Sequence, residues 1–301
     1  MDQNDQYKLR QVEKKEELLT LAARIKDNFP YCIQMYNTLL LNSRELSDFL
    51  QYEFYVPKYY PDSHIIIWRT LIERQGMSIY CTEGEMPLLI KVLKMSQFPS
   101  MIKETPVNIV FLLSYQVDPV TETLQGLLPK PLVNKPNLVY AYVTPQNHLL
   151  RCPAGMKVQR LGKAGIQKML ADNPYWKTLP LDLTCRLAEN LPALGVYLDP
   201  DDVAEKVINP SDLSFAEPEA TPIACICTNP YGAVSMVMTD DQYRRRGLAT
   251  LLVEILGRLH LVEGYFPHAN VLPDNDASDR MFRKLTGWEK LLLINRLISE
   301  Q

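Results

Sequence analysis

Three consecutive arginines, Arg244, Arg245 and Arg246, stand directly before Gly247, and an apolar run begins at Leu248. That order suits the capture of a phosphorylated ligand. The first turn of a helix carries backbone N–H groups without intrahelical partners, and the helix dipole adds partial positive charge there. Gly247 has no Cβ, so a phosphate can approach the main chain closely. Ala249 keeps the next turn small, Thr250 follows it, and the arginines supply charge. Leu248, Leu251, Leu252, Ile255, Leu256 and Leu259 recur at i, i+3 and i+4 spacing, which predicts a helix anchored in a core. The arginines taken alone also fit a plain solvated turn, so the surrounding elements must decide.

Those elements alternate between helix and strand. A strand is expected at Ala233–Thr239, then the arginine turn, a helix at Gly247–Val262 and a strand at His268–Leu272. A helix at Asn275–Leu285 and a strand at Trp288–Ile298 complete the series. Upstream, helices at Gln159–Ala171 and Leu181–Asn190 lead to strands at Gly195–Leu198 and Pro222–Thr228, with a polar, proline-bearing loop between those strands. The first half reads as a helix over 10–29 closed by Pro30, and strands at Tyr31–Leu41, His64–Arg69, Ser78–Thr82, Asn108–Tyr115 and Leu138–Val143. Helices are expected at Arg44–Tyr52 and Pro87–Gln97. Turn residues concentrate near 145–155. The class is α/β, with domains over 1–147 and 148–301. Two halves of similar size suggest a duplicated fold, although no internal sequence repeat is visible.

Composition narrows the function. The chain has 301 residues, 47% hydrophobic and 22% charged, and a formal net charge of -3. This is an ordinary globular balance with no whole-chain case for nucleic acid. No apolar run reaches the roughly 18 residues needed to span a bilayer, so no membrane partner is expected. The polar start MDQNDQYKLR reads as neither signal nor transit peptide, and the six cysteines form no CxxC pair. Both features predict a reducing, cytoplasmic setting. His64, His148, His260 and His268 lack ligand spacing, so no metal is expected. No P-loop, dinucleotide fingerprint or G-x-S-x-G elbow occurs. Cys225 and Cys227 share a strand face and read as core.

The run Arg244-x-x-Gly247-x-Ala249 after a strand resembles the coenzyme A signature of the GNAT acyltransferase superfamily. Asn275-x-x-Ser278-x-x-Met281-Phe282-x-Lys284-Leu285-Thr286-Gly287-Trp288 is similar to that family's closing segment. Leu191–Tyr197, Pro222–Cys225 and Tyr243-Arg244 look like the glycine N-acyltransferase group, whose members carry a degenerate GNAT-like half ahead of the active one. The match is good over about 190–290 and architectural over 1–150. The resemblance implies two GNAT-like domains, each a mixed twisted sheet flanked by helices, with acyl-coenzyme A held by the second. Val237, Met238 and Thr239 would run along the pantetheine arm. Arg244, Arg245, Arg246, Gly247, Leu248, Ala249 and Thr250 would hold the diphosphate, with Asn275, Ser278 and Phe282 completing the site. The implied activity is N-acyl transfer from acetyl-coenzyme A or a longer acyl-coenzyme A to a small amine or amino acid. Acylation of a protein N-terminus or lysine is a further reading. The family's base position falls on Ala233 and its tyrosine acid position on Phe282, and neither can move a proton. Asp240, His268 and Ser235 remain as catalytic candidates. A catalytically weak or inactive acyl-coenzyme A-binding protein, or one that binds a partner protein, is the alternative.

Overall fold

The computed structural model describes residues 5–44, 51–70, 76–104, 108–127, 131–172, 180–201 and 203–299. The chain forms two compact units: Met1–Val139 with Leu272–Asp274 and Leu291–Gln301, and Tyr140–Val271 with Asn275–Lys290. The first unit ends ahead of the 147/148 division drawn from turn residues, and it also takes in the last segment of the chain.

In the N-terminal unit, strand β1 (Leu9–Val12) is followed by helices α1 (Lys15–Ile25) and α2 (Ile33–Ser43). Strands β2 (Tyr52–Pro57), β3 (Ile66–Thr70) and β4 (Gly76–Tyr80) come next, then α3 (Met86–Met95), α4 (Phe98–Glu104), β5 (Ile109–Leu113), α5 (Val117–Gln125) and β6 (Leu132–Tyr142). The sheet order is β1-β2-β3-β4-β5, continued by β14 (Trp288–Ser299) and then β6. Neighbours among β1 to β5 are antiparallel except β4 and β5, which run parallel with Ser78 opposite Phe111. β14 joins antiparallel to β5, Ile294 opposite Leu113. Leu89, Val92 and Leu93 of α3 close over Ile67, Met77, Ile79 and Val110 to make the core.

Two expectations for this unit change. The segment Tyr31–Leu41, expected as a strand, is helix α2. Its residues are buried nearly all round, Gln34, Asn37, Thr38 and Asn42 included, so no one-sided stripe advertises the helix and short apolar runs are ambiguous between the two states. The expected helix 10–29 begins later than read, because Leu9–Val12 pairs with β2. The helix expected at Arg44–Tyr52 falls largely outside the described residues, and Tyr52 itself opens β2.

The C-terminal unit repeats the pattern. Strands β7 (Leu150–Cys152) and β8 (Met156–Arg160) precede helices α6 (Lys163–Asp172) and α7 (Leu181–Asn190). Strands β9 (Ala193–Leu198), β10 (Lys206–Ile208), β11 (Ala224–Thr228) and β12 (Val234–Thr239) follow. Helix α8 (Leu248–Val262), β13 (His268–Val271) and α9 (Asp276–Lys284) then lead to β14. Within the unit the sheet runs β13-β12-β11-β9-β8, antiparallel except for β12 beside β13, which is parallel. Each unit therefore places one parallel pair beside an antiparallel series, with a helical crossover between the parallel strands. Leu248, Leu252, Val253, Ile255 and Leu256 of α8 are buried. No helix among the described residues is long and apolar enough to cross a membrane.

Candidate functional site

The site grows from the end of β12. Opposite β11, the pairing passes from Cys225↔Met238 to Cys227↔Ser235, so β12 carries an extra residue, and Met236 sits at φ +52°. Such a bulge bends its strand and re-aims the residues that follow. Along β13 the pairing is recorded at Val234↔Ala269, ahead of the bulge. Val237, Met238 and Thr239, beyond it, are only half-buried and form one wall of an open groove of about 1150 Å³.

The floor is the head of α8. Arg245 has φ +62° and Gly247 φ +80°, left-handed values that glycine adopts at little cost and arginine does not. A Cβ built on Gly247 would meet nothing within 4 Å, so this glycine opens the groove and meets the backbone requirement together. No side chain caps α8. Its first hydrogen bond of this kind runs from the Leu251 N–H to the Gly247 carbonyl, 2.9 Å, which leaves the preceding amides free for an anion.

Charge is arranged on two sides. Arg244 and Arg245 border the groove from the loop, while Arg280 and Lys284 border it from α9, beside Ala277 and Met281. Arg244 Nε donates to the Thr239 carbonyl at 3.1 Å, and its guanidinium pairs with Asp241 at 2.8 Å. Arg246 is not part of the lining; its guanidinium lies 5.2 Å from the ring centroid of Tyr243, which borders the groove. Asn275 caps α9, its Oδ1 accepting from the Ser278 N–H at 3.1 Å, and both residues border the groove.

The structure gathers most of the expected ligand-holding residues: Val237 to Thr239, Arg244, Arg245, Gly247 to Thr250, Asn275 and Ser278 all line the groove. Arg246 and Phe282 do not. Phe282 is buried, stacked against Tyr140 at 5.2 Å and tilted against Trp288 at 5.0 Å. Among the catalytic candidates, Asp240 borders the groove, but both of its carboxylate oxygens accept from Lys168 Nζ, at 2.6 and 2.8 Å. His268 is fully buried, its Nδ1 lying 3.2 Å from the Phe266 carbonyl. Burial pushes its pKa down to about 4, with that carbonyl opposing the shift. Ser235 is half-buried on β12, before the groove wall begins. Ala233 is fully buried, and its N–H bonds Asn229 Oδ1 at 3.0 Å.

Sequence reading missed Asp172, Tyr243, Arg280 and Lys284 as wall residues. The last two carried a signal: Ala277, Arg280, Met281 and Lys284 follow i, i+3, i+4, i+7 along one face of α9. Asp172 carried none, because only the fold brings the end of α6 to the groove. Cys225 and Cys227 are buried, and burial pushes their thiols upward, to about 12 for Cys225. All six cysteines are free. Among the described residues no group of three or more histidines, cysteines or carboxylates could hold a metal ion.

Residues 218–295, from before β11 into β14, match the family model described as FR47-like protein. No curated protein matches the chain. Among solved structures, a Drosophila melanogaster protein is similar at TM-score 0.72 and 14% identity, covering 96% of this chain and 98% of its own. A tandem GNAT protein from the clavulanic acid biosynthesis pathway, solved without acetyl-coenzyme A, is similar at TM-score 0.51 and 12% identity, covering 97% and 98%. A GCN5-related glucosamine N-acetyltransferase region of a fungal multi-domain GH3 β-N-acetylglucosaminidase aligns at TM-score 0.51 and 9% identity, covering 96% of this chain and 38% of that one. The fold is mixed α/β, large mixed sheets flanked by helices, of the kind seen in tandem GNAT proteins.

Proposed function

We propose that this chain is an acyl-coenzyme A-dependent N-acyltransferase acting on the amine of a small molecule or amino acid. The groove below β12 is the observation that carries the reading. It combines an uncapped helix head opened by a left-handed glycine, a bulged strand edge and cationic residues on two sides. These features fit a long, flexible ligand with a diphosphate in its middle. The amides at Leu248–Thr250 would bind the diphosphate, and the backbone at Val237–Thr239 would run beside the pantetheine amides. The glycine N-acyltransferase-like motifs favour a small acceptor over a protein.

The N-terminal unit is read as the degenerate counterpart. Its helix after the matching strand, α3, follows Thr82-Glu83-Gly84-Glu85. There Glu85 accepts from the Thr82 N–H at 3.2 Å and from the Thr82 hydroxyl at 2.7 Å. The capping box closes the short turn Glu83–Glu85 ahead of α3, which has no side-chain cap of its own, and the acids at that entrance disfavour an anion.

In the transfer, the amine nitrogen forms a bond to the thioester carbonyl carbon, and the carbon–sulfur bond breaks. The nitrogen loses a proton, and the departing thiolate can take one. Holding the two reactants together supplies much of the rate of such a step. Ala233 and Phe282 contribute no proton transfer, and the carboxylate of Asp240 is committed to Lys168. The rate is therefore expected to follow the unprotonated fraction of the amine, rising toward alkaline pH without a bell near neutrality. A binding protein without turnover is the second reading, and the same two apolar positions favour it. Thermal-shift titration with acetyl- and longer acyl-coenzyme A, then an amine-dependent thiol-release assay, separates them. Stabilisation with release supports the transferase, and stabilisation without release selects the binder. No shift with any of these ligands, free coenzyme A included, defeats both.

A further inference from the structure

An anion-binding groove with a carboxylate in its wall presents an electrostatic conflict. Asp240 closes β12, immediately ahead of the arginine loop, and borders the groove. The answer comes from α6. Lys168 Nζ donates to both oxygens of Asp240, at 2.6 and 2.8 Å, and to the Pro222 carbonyl at 2.9 Å. An ammonium group has three protons, and all three are engaged, so Lys168 has none left for a ligand. The pair is partly shielded, with side-chain exposures of 22% for Lys168 and 32% for Asp240, and is less screened than an open surface pair. Nearby, the Asp240 N–H bonds the Ile223 carbonyl at 2.9 Å. Lys168 thus ties the start of β11 to the end of β12 where the loop departs. The other groove acid of that loop, Asp241, is matched by Arg244. Asp172, one turn beyond Lys168, also borders the groove and is exposed to solvent.

We infer that Lys168 is a positioning residue for the coenzyme A site, acting through Asp240: it cancels the Asp240 charge, so that the groove accepts a polyanion. This rests on the coenzyme A reading of the groove. The test is a charge cycle read by calorimetric titration of coenzyme A, with circular dichroism and thermal midpoints confirming the fold. Lys168→Met leaves Asp240 uncompensated and weakens binding by on the order of tenfold. Asp240→Asn alone removes a negative charge and tightens it. The double variant Lys168→Met/Asp240→Asn returns to within about threefold of wild type, the coupling expected of a charge pair. Lys168→Arg keeps the charge and stays within about threefold of wild type. A double variant as weak as Lys168→Met overturns the inference, since Lys168 would then act through packing or by touching the ligand. Unchanged binding in Lys168→Met also overturns it. A wild type that binds no coenzyme A removes the cofactor reading instead, and this role falls with it.

Discussion

Gly247 combines a left-handed φ of +80° with empty space where a side chain would begin. Replacing it with tryptophan would fill the groove floor at the head of α8. Gly247→Trp is expected to lose coenzyme A binding while keeping its far-ultraviolet spectrum, and retained affinity would move the site elsewhere. Arg244→Ala should cost about 1.5–3 kcal/mol of binding, the range for hydrogen bonds to charged groups, as measured by calorimetry. Two buried histidines make a separate case. Burial pushes His260 down to about 3, helped by the neighbouring His268, which itself lies at about 4. In the unfolded chain both titrate near 6.5. Below that value the unfolded state binds protons that the folded state refuses, so stability falls as pH drops from about 6.5 toward 4 and is level above. Denaturant midpoints across that range should show the slope, and His268→Gln should reduce it. At this scale the groove-lining residues were legible, because Arg244, Gly247 and Ala249 lie in one short run. The setting of His268 was not, since burial depends on what packs over the strand. The fully buried Ala233 adds a constraint: a glutamate there would place a carboxylate in the core.

Strands and helices of the second half were legible because their patterns are one-sided. Helix α7 spans Leu181–Asn190 as read, and α8 differs only at its first residue. The bulge in β12 left no such mark, because Ser235, Met236 and Val237 have no glycine or proline to announce it. In α2 the pattern failed for the opposite reason, with burial on all sides erasing the period. A turn carries the prediction at this scale. Gly287, at φ +83°, leads into β14, and a Cβ there would stand 2.2 Å from the Thr144 carbonyl oxygen and 2.6 Å from the Tyr142 ring. The Val143 and Thr144 N–H groups both bond the Gly287 carbonyl, at 2.8 and 3.3 Å. Gly287→Ala should therefore destabilise by about 2 kcal/mol or more, combining backbone strain with overpacking. A thermal midpoint equal to wild type would contradict the geometry.

For the whole molecule, the turn-rich stretch at 145–155 marked a change in the chain but not the edges of the compact units. Tyr140 and Tyr142 precede it and still belong to the second unit. Tyr140 donates to Asp279 at 2.6 Å, and Tyr142 stacks on Trp288 at 5.6 Å. A fragment 148–301 lacks both rings and is expected to be poorly folded, while one starting at 138 should show sharper amide dispersion in NMR spectra. Equal spectra would mean that the two tyrosines are dispensable. The last segment of the chain was equally hard to assign, since a strand's sequence records its own alternation and not its neighbour.

That last strand sets a timetable. Within the N-terminal sheet, β5 has β4 on one side and β14 on the other, and Ser114 bonds Asn295 across 181 residues of chain. While the protein is being synthesised, β5 waits as an open edge of apolar residues, IVFLL. At 5–20 residues per second the interval is roughly ten to forty seconds. An unpaired apolar edge recruits other chains, so over that interval the edge of β5 is the nascent protein's point of exposure to aggregation until β14 emerges to cover it.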